Sequence, residues 1–290
     1  MSAPLSVSGA WQTARHLCPR GCFAYHATWR LFRQMGLKGS PHWHFDFYQT
    51  ALASRPAGQP TRALVCGSSD ETMPALLADL MPELSIVVAD ACDTPLHLVS
   101  AWAAQSTADV ITRRSHAPAL KSIDGPFDLI VTDGLLSLLP EAADRDLLIA
   151  RLASMLADDG LLLYTTRIAG PGGRLEYDLP GRLLQSLAAL TWRGHPVERL
   201  TIALHRWLRP SRTAAYTGAQ QVADAFHAAF GHVDMWVTAV PPSLALAVHP
   251  VRWIGRGSLR VGVAATHPNR GTPYDSEHHH QAVPARDRAG

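Results

Sequence analysis

One stretch, residues 62–93, constrains the fold of this chain more than any other part of its sequence. A short apolar run at residues 63–66 stops at Gly67, a pattern typical of a buried strand followed by a turn. Apolar residues then recur at helical spacing over residues 73–80, and a second apolar run follows at residues 86–89. Strand, helix and strand in this order predict a parallel α/β sheet.

The second apolar run is followed directly by Asp90. Ligands of open α/β sheets bind beyond the carboxyl ends of the strands, and a carboxylate about 20 residues after the first glycine turn can bind both hydroxyls of a ribose. The segment therefore predicts a site for a cofactor that contains a nucleoside. The candidate contacts are Cys66, Gly67, Ser68 and Ser69 at the first turn, with Asp90 and Ala91 after the second strand.

The turn at Gly67 indicates which nucleoside binds. A dinucleotide site favours G-x-G-x-x-G, which lets backbone amides approach a pyrophosphate. Here Gly67 stands alone and is followed by the acids Asp70 and Glu71. Two carboxylates at a helix start repel phosphates, whereas S-adenosylmethionine has no phosphate and carries a sulfonium and an ammonium. The pattern favours this methyl donor, and a nicotinamide-dependent oxidoreductase is the weaker alternative.

Four segments resemble the class I S-adenosylmethionine-dependent methyltransferases: residues 64–67, Asp90, and residues 127–140 and 156–168. The resemblance implies a Rossmann-like α/β fold with a seven-stranded, mostly parallel sheet and an antiparallel last strand. It also implies methyl transfer from S-adenosylmethionine. The family's glycine-rich motif usually reads acid-x-Gly-x-Gly-x-Gly, whereas this chain has Val65 in place of the acid and keeps only the first glycine. A non-catalytic or repurposed binding protein of the same fold is therefore the alternative.

The resemblance assigns further residues to the same edge of the sheet. In related methyltransferases the loop after the third strand lies against the adenine, and here that loop contains Ser115 and His116. An ordinary connection is an equally good interpretation of this loop. Asp133 follows the fourth strand, in the same row as Gly67 and Asp90. It either lines the methyl-transfer cleft or caps the next turn.

The chain divides into a core and three flanking parts. We expect a disordered start at residues 1–12, a helical N-terminal cap at 13–58, a methyltransferase core at 59–266 with a helical insertion at about 170–216, and a disordered tail at 267–290. Within these parts the patterns predict cap helices at 23–35 and 41–53, strands at 110–114, 127–132 and 161–165, a helix from Pro140 to Gly160, insertion helices at 179–190 and 197–208, a last helix at 219–231, and a closing antiparallel hairpin at 233–240 and 260–265.

Methyl transfer requires no covalent enzyme nucleophile, because the protein mainly holds the acceptor near the methyl group and excludes water. An oxygen or nitrogen acceptor of high pKa also requires a general base. The candidate catalytic bases are His42, His44 and His116. On a helix His42 can meet Asp46 at i+4, although an ordinary surface pair is the simpler interpretation.

No metal site is expected. Cys18 and Cys22 form a lone C-x3-C pair, and a zinc site needs about four ligands. Four cysteines in 290 residues fit a reduced, cytoplasmic protein, and no secretory signal or membrane span is expected.

The net charge of the chain indicates which kinds of partner it can bind. The net charge of +2 is too small to indicate nucleic acid or an anionic membrane as a partner. We expect a small-molecule substrate, a secondary metabolite, that is methylated on oxygen or nitrogen. A protein substrate and a homodimer are left open.

Overall fold

The computed structural model describes residues 7–18, 26, 29–30, 44–53, 61–168, 186–187, 189–190, 195–208, 216–239 and 259–269. Its centre is a seven-stranded sheet in the order β3-β2-β1-β4-β5-β7-β6. The strands are β1 Thr61–Cys66, β2 Leu84–Asp90, β3 Asp109–Arg114, β4 Phe127–Asp133, β5 Leu156–Ile168, β6 Phe230–Ala239 and β7 Leu259–Pro268.

The sheet is mostly parallel. Strands β1 to β5 pair in parallel, while β7 is antiparallel to both β5 and β6. This arrangement confirms the predicted α/β fold with its antiparallel last strand. The chain moves outward from β1 to β3 on one side and returns to β4 on the other, so the strand order reverses between β1 and β4. Such a switch point opens a crevice at the carboxyl ends of the two strands.

Helices cover both faces of the sheet. They are α1 Val7–Leu17, α2 Phe45–Ala53, α3 Thr72–Leu80, α4 Asp93–Ala103, α5 Ala142–Met155, α6 Pro196–Leu208 and α7 Ala219–His227. Buried side chains of α2, α3 and α4 share one core cluster with alternate residues of the strands. Those of α5 and α7 share the other cluster with the remaining residues of the same strands. The alternation follows from the two-residue period of a strand that is buried on both faces.

The start of the chain departs from the expectation of disorder at 1–12. Helix α1 runs from Val7, so that prediction is wrong for residues 7–12. Ala10, Trp11 and Ala14 are buried, and α1 lies against α4. Helical spacing of small and aromatic residues provides the apolar stripe that this packing requires.

Two other boundaries also differ. The helix expected to run to Gly160 ends at Met155, because Leu156 already pairs with Phe127 in the sheet. At the other end of the core, β7 continues to Pro268, so the tail predicted from residue 267 is wrong for its first two residues.

The expected insertion helix at 197–208 is confirmed by α6, whereas the helices expected at 23–35 and 179–190 lie mostly outside the described residues. The cap helix expected from residue 41 is described from Phe45 onward. Within the described ranges, no helix has both the length and the apolar character needed to cross a membrane.

Candidate functional site

The turn after β1 brings the backbone close to the end of β2. Gly67 has a φ of +75°, in the left-handed region that favours glycine. Its N–H donates to the Ala89 carbonyl at 2.8 Å, and the next amide, of Ser68, donates to Asp90 Oδ2 at 2.9 Å. A Cβ at Gly67 would lie only 3.1 Å from Leu135 Cδ1. The glycine therefore allows both the turn and this close approach.

Asp90 is held by backbone amides from both sides. Besides the Ser68 amide on Oδ2, the Cys92 amide donates to Oδ1 at 2.7 Å. Burial raises the pKa of Asp90 above its ordinary value, and the amides of Cys92 and Ser68 oppose that rise. The carboxylate is thus fixed in orientation at the crevice, as a group that binds vicinal hydroxyls requires.

Of the neighbouring candidates, Cys66 differs most from its predicted role. Its side chain packs in the core, and burial followed by the charge of Asp90 raises the pKa of the thiol to about 12. Only the main chain of Cys66 is therefore available to contact a ligand at the carboxyl edge of the sheet. Ser68 and Ser69 are half-buried on the turn, where Ser68 Oγ donates to the Asp70 carbonyl at 2.5 Å, and Ala91 is exposed.

The two acids that follow the turn face a cation of the N-terminal segment. Arg30 Nη1 lies 2.7 Å from Glu71 Oε1 and 3.3 Å from Asp70 Oδ2, and all three side chains are buried. Asp70 Oδ1 also accepts the Thr72 amide at 3.0 Å, at the start of α3. These carboxylates therefore stabilise the helix start and bind Arg30. Because Arg30 neutralises part of their charge, Asp70 and Glu71 repel phosphates in the crevice less than the sequence predicts.

The loop after β3 lies beside Asp90. The Ser115 amide donates to the Asp90 carbonyl at 2.9 Å, while Ser115 Oγ donates to the Lys121 carbonyl at 2.6 Å. Ser115 is buried and its hydroxyl serves the loop itself. His116, the next residue, is exposed. The structure thus brings this loop to the edge of the sheet where Asp90 lies.

Asp133 is part of a hydrogen-bonded chain that sequence reasoning missed. Thr165 Oγ1 donates to Asp133 Oδ1 at 2.8 Å, and the Tyr48 hydroxyl lies 2.6 Å from Thr165 Oγ1. Since Thr165 Oγ1 donates to the carboxylate, it accepts from Tyr48. Burial and then the charge of Asp133 raise the pKa of Tyr48, so its phenol stays protonated as a donor. Thr165 pairs with Asp133 across β4 and β5, a register that only strand pairing reveals.

The histidine candidates differ in position. His44 is buried and lies directly before α2, four residues ahead of Tyr48. His116 is exposed, and His42 lies outside the described residues. The predicted meeting of His42 with Asp46 is therefore not described.

Solved structures share this architecture. Phosphoethanolamine N-methyltransferase 2 of Haemonchus contortus, in complex with phosphomonomethylethanolamine and S-adenosylhomocysteine, superposes with a TM-score of 0.56 at 11% identity over 91% of this chain and 60% of that chain. The fold is that of the class I methyltransferases. A protein assigned as an O-methyltransferase, from Nostoc punctiforme, gives a TM-score of 0.53 at 14% identity over 86% of this chain and 62% of that chain.

A third similar structure, a methyltransferase candidate of Haloferax volcanii bound to the activator Trm112, gives a TM-score of 0.52 at 16% identity over 84% of this chain and 97% of that chain. This chain spans about three fifths of the length of the first two proteins. No protein-family model matches the chain, and no curated protein matches it in sequence.

A second cluster of functional side chains lies next to the Asp90 turn. Cys18 Sγ is 3.2 Å from Cys92 Sγ, and Cys92 Sγ is 3.4 Å from His26 Nε2. Cys18 directly follows α1, His26 is a helical position of the N-terminal segment, and Cys92 is the residue before α4. In the sequence, Cys18 stands out only through its C-x3-C spacing to Cys22, and this group was not predicted. Neither cysteine spacing nor local pattern indicates a contact across 74 positions.

Proposed function

We propose that this chain is an S-adenosylmethionine-dependent methyltransferase that acts on an oxygen or nitrogen atom of a small molecule. The observation that carries the proposal is the Asp90 carboxylate, oriented by two backbone amides beside the Gly67 turn, at the switch point of a methyltransferase fold. A carboxylate fixed at this edge suits a ribose. The similar Haemonchus protein, a methyltransferase bound to S-adenosylhomocysteine, supports the same cofactor class.

Each part of the crevice has a role in this proposal. The cofactor would supply a methyl group that positive sulfur activates. Asp90 would bind the ribose hydroxyls, and the turn at Gly67 and Ser68 would leave room for the rest of the nucleoside. The loop with Ser115 and His116 would border the adenine. Asp133, held by Thr165, would line the side on which the acceptor enters.

For the general base we favour His44 over the other histidines. It is buried one helical turn before Tyr48, whose hydroxyl bonds to Thr165 and through it to Asp133. His116 is exposed in the loop that follows β3. A buried imidazole near the acceptor side fits the removal of a proton from an oxygen or nitrogen nucleophile.

The acceptor and the setting belong to the same proposal. A net charge of +2 favours a small neutral or weakly charged acceptor over nucleic acid. The N-terminal cap and the 170–216 insertion, which includes α6, would enclose that acceptor. We place the protein in the cytoplasm and leave a homodimer open.

Isothermal titration tests cofactor binding. We expect S-adenosylmethionine and S-adenosylhomocysteine to bind, and NADH to give no heat. Asp90→Ala removes charge-assisted hydrogen bonds to both ribose hydroxyls, so we expect affinity to fall by about 100-fold or more. Asp124→Ala, an exposed acid away from the crevice, is the matched control and should bind like the unaltered protein. Tight NADH binding with no S-adenosylmethionine binding would contradict the proposal.

One observation favours the second candidate, a non-catalytic or repurposed binding protein. The side chain of Leu135 lies 3.1 to 3.4 Å from a Cβ built on Gly67, so it occupies space beside the turn. If titration shows no binding of either compound, and Asp90→Ala is equally inert, this candidate replaces the methyltransferase.

The role of His44 is tested separately. His44→Gln should lower kcat by about 100-fold to 10,000-fold while cofactor affinity stays within about threefold, because a base acts on the acceptor and not on the donor. His97→Gln, at an exposed histidine of α4, is the matched control and should keep kcat. The measurement is S-adenosylhomocysteine release on an acceptor panel of phenols and amines. Equal losses in both variants would remove the assignment.

A further inference from the structure

Three metal-ligating side chains from distant parts of the chain converge beside the cofactor edge. In the described part of the chain, Cys18, His26 and Cys92 place one ligand atom each within 4.8 Å of the other two. Cys18 and His26 are buried, and Cys92 is half-buried. Two sulfurs and one imidazole nitrogen are a ligand set that zinc prefers in proteins.

We propose that Cys18, Cys92 and His26 bind a zinc ion. Zinc bonds of about 2.3 Å to sulfur and 2.0 Å to nitrogen, in tetrahedral geometry, place two sulfurs about 3.8 Å apart and a sulfur and a nitrogen about 3.5 Å apart. The corresponding separations here are 3.2 Å and 3.4 Å. Small side-chain rotations therefore admit the ion. Two thiolates and a neutral imidazole balance the charge of Zn²⁺, and the fourth position is left for water or another side chain.

The surroundings of the cluster support thiolate ligands. Thr94 Oγ1 lies 2.8 Å from Cys18 Sγ, and Thr94 is fully buried in the first turn of α4. A hydroxyl at this distance can donate to a metal-bound thiolate, as outer-shell partners commonly do. Cys92 directly precedes α4, where the positive end of the helix dipole favours a negative sulfur.

The position of the site gives it a role. The Cys92 amide donates a hydrogen bond to Asp90 Oδ1 at 2.7 Å. The ion would therefore be bound to the same turn that orients the candidate ribose carboxylate. His26 belongs to the N-terminal segment whose Arg30 contacts Asp70 and Glu71. The zinc would thus fasten that segment to the edge of the sheet and stabilise the fold. This site goes beyond the proposed methyl transfer and does not depend on it.

Metal analysis of the full chain tests the site. The protein is prepared without an affinity tag, under a reducing agent, and dialysed against a chelating resin. We expect about one zinc per chain by mass spectrometry of the metal. We also expect Co²⁺ to give the absorption of a tetrahedral site with a thiolate-to-cobalt charge-transfer band. The three consecutive histidines at residues 278–280 cannot give that band, so adventitious binding there is distinguished.

Matched variants locate the ligands. Cys18→Ser, Cys92→Ser and His26→Ala should each weaken zinc binding by more than about 100-fold, beyond the loss of an outer-shell partner. The controls are Cys66→Ala, a buried thiol elsewhere, and His97→Ala, an exposed histidine of α4, and both should keep the metal. The cobalt spectrum of the unaltered protein tests the proposal even if a variant fails to fold.

Two results would overturn the zinc site. One is a reduced protein that holds no zinc and gives no charge-transfer band with Co²⁺. The other is a metal-free protein in which Cys18 and Cys92 form a disulfide that persists under the reducing agent, seen as a loss of two hydrogens by intact mass, which would make the pair a redox element.

Discussion

At the scale of single residues, Asp90 combines two opposing demands. Burial raises its pKa, so the fold disfavours the ionised form, while a ribose is bound best by that form. A carboxyl whose folded pKa is raised gives up stability as pH rises from its ordinary value, about 3.8, through the raised value. Above the raised pKa, the candidate ribose carboxylate therefore lowers the free energy of unfolding.

The pH dependence of binding follows from this pKa. We expect S-adenosylhomocysteine affinity to be constant well above the raised pKa of Asp90 and to fall as the solution is acidified through it. Titration calorimetry between pH 4.5 and 8 measures the profile. Asp90→Asn should bind weakly at every pH and lack this dependence. A flat profile in the unaltered protein would count against Asp90 as the ribose ligand.

Arg30 is the second residue with a clear energetic role. Arg30→Met would leave the buried carboxylates of Asp70 and Glu71 without their cation, so we expect a loss of about 3–5 kcal/mol in the free energy of unfolding. The control is Arg114→Gln, because Arg114 and Asp93 are 58% and 40% exposed and such pairs contribute less than about 1 kcal/mol. Urea denaturation compares the variants.

The loss of stability in Arg30→Met should also depend on pH. Burial, followed by the charge of Asp70, raises the pKa of Glu71, and Arg30 opposes both effects. Without Arg30 the pKa of Glu71 in the folded chain rises further. As pH falls towards the ordinary value of 4.5, Glu71 in the variant therefore becomes protonated, and the variant regains part of its lost free energy of unfolding. The deficit at pH 5 should be smaller than at pH 8. An equal deficit at both values would contradict a role for the buried charges.

At the scale of elements, helix α2 and strand β7 fit closely. A Cβ at Gly262 would lie 2.7 Å from Phe47 Cδ2, and Phe47 also packs edge-on against Trp236 with ring centroids 5.1 Å apart. The glycine of β7 thus lets α2 approach the sheet and bring Tyr48 to Thr165. This contact positions the Asp133 side of the candidate site.

Gly262→Ala tests the fit between the two elements. The added methyl should force the Phe47 ring to move and cost about 1–3 kcal/mol in thermal or urea unfolding. Gly231→Ala on β6 is the control, because its Cβ would meet the His267 carbonyl oxygen at an ordinary 3.4 Å. Phe47→Leu combined with Gly262→Ala should recover part of the loss. Purely additive losses would show that the ring does not limit the approach.

At the scale of the whole molecule, a ligand that binds only the folded chain stabilises all of it. At a concentration 100 times its Kd, S-adenosylhomocysteine should add about 2.7 kcal/mol, or about 4–5 °C in Tm for a chain of this size. Differential scanning calorimetry measures the shift. Asp90→Ala at the same concentration should show almost none, and NADH should shift neither protein. A shift with NADH alone would favour the oxidoreductase alternative.

The sequence by itself determined the order and type of the core elements. The apolar runs at 63–66 and 86–89, the turn at Gly67 and the position of Asp90 all agree with β1, β2 and the edge between them. These features are local, because a strand period and a glycine turn are set by neighbouring residues. The predicted ends of elements were wrong where strand pairing overrides the local pattern, as at Leu156.

The tertiary structure alone decided which distant side chains meet. Arg30 with Asp70, Tyr48 with Thr165 and Cys18 with Cys92 are 40, 117 and 74 positions apart. Such contacts arise when helices pack onto a twisted sheet, and no local period encodes them. For this reason the sequence predicted that Asp70 and Glu71 repel phosphates, whereas Arg30 neutralises part of their charge. For the same reason the group of Cys18, His26 and Cys92 was not predicted.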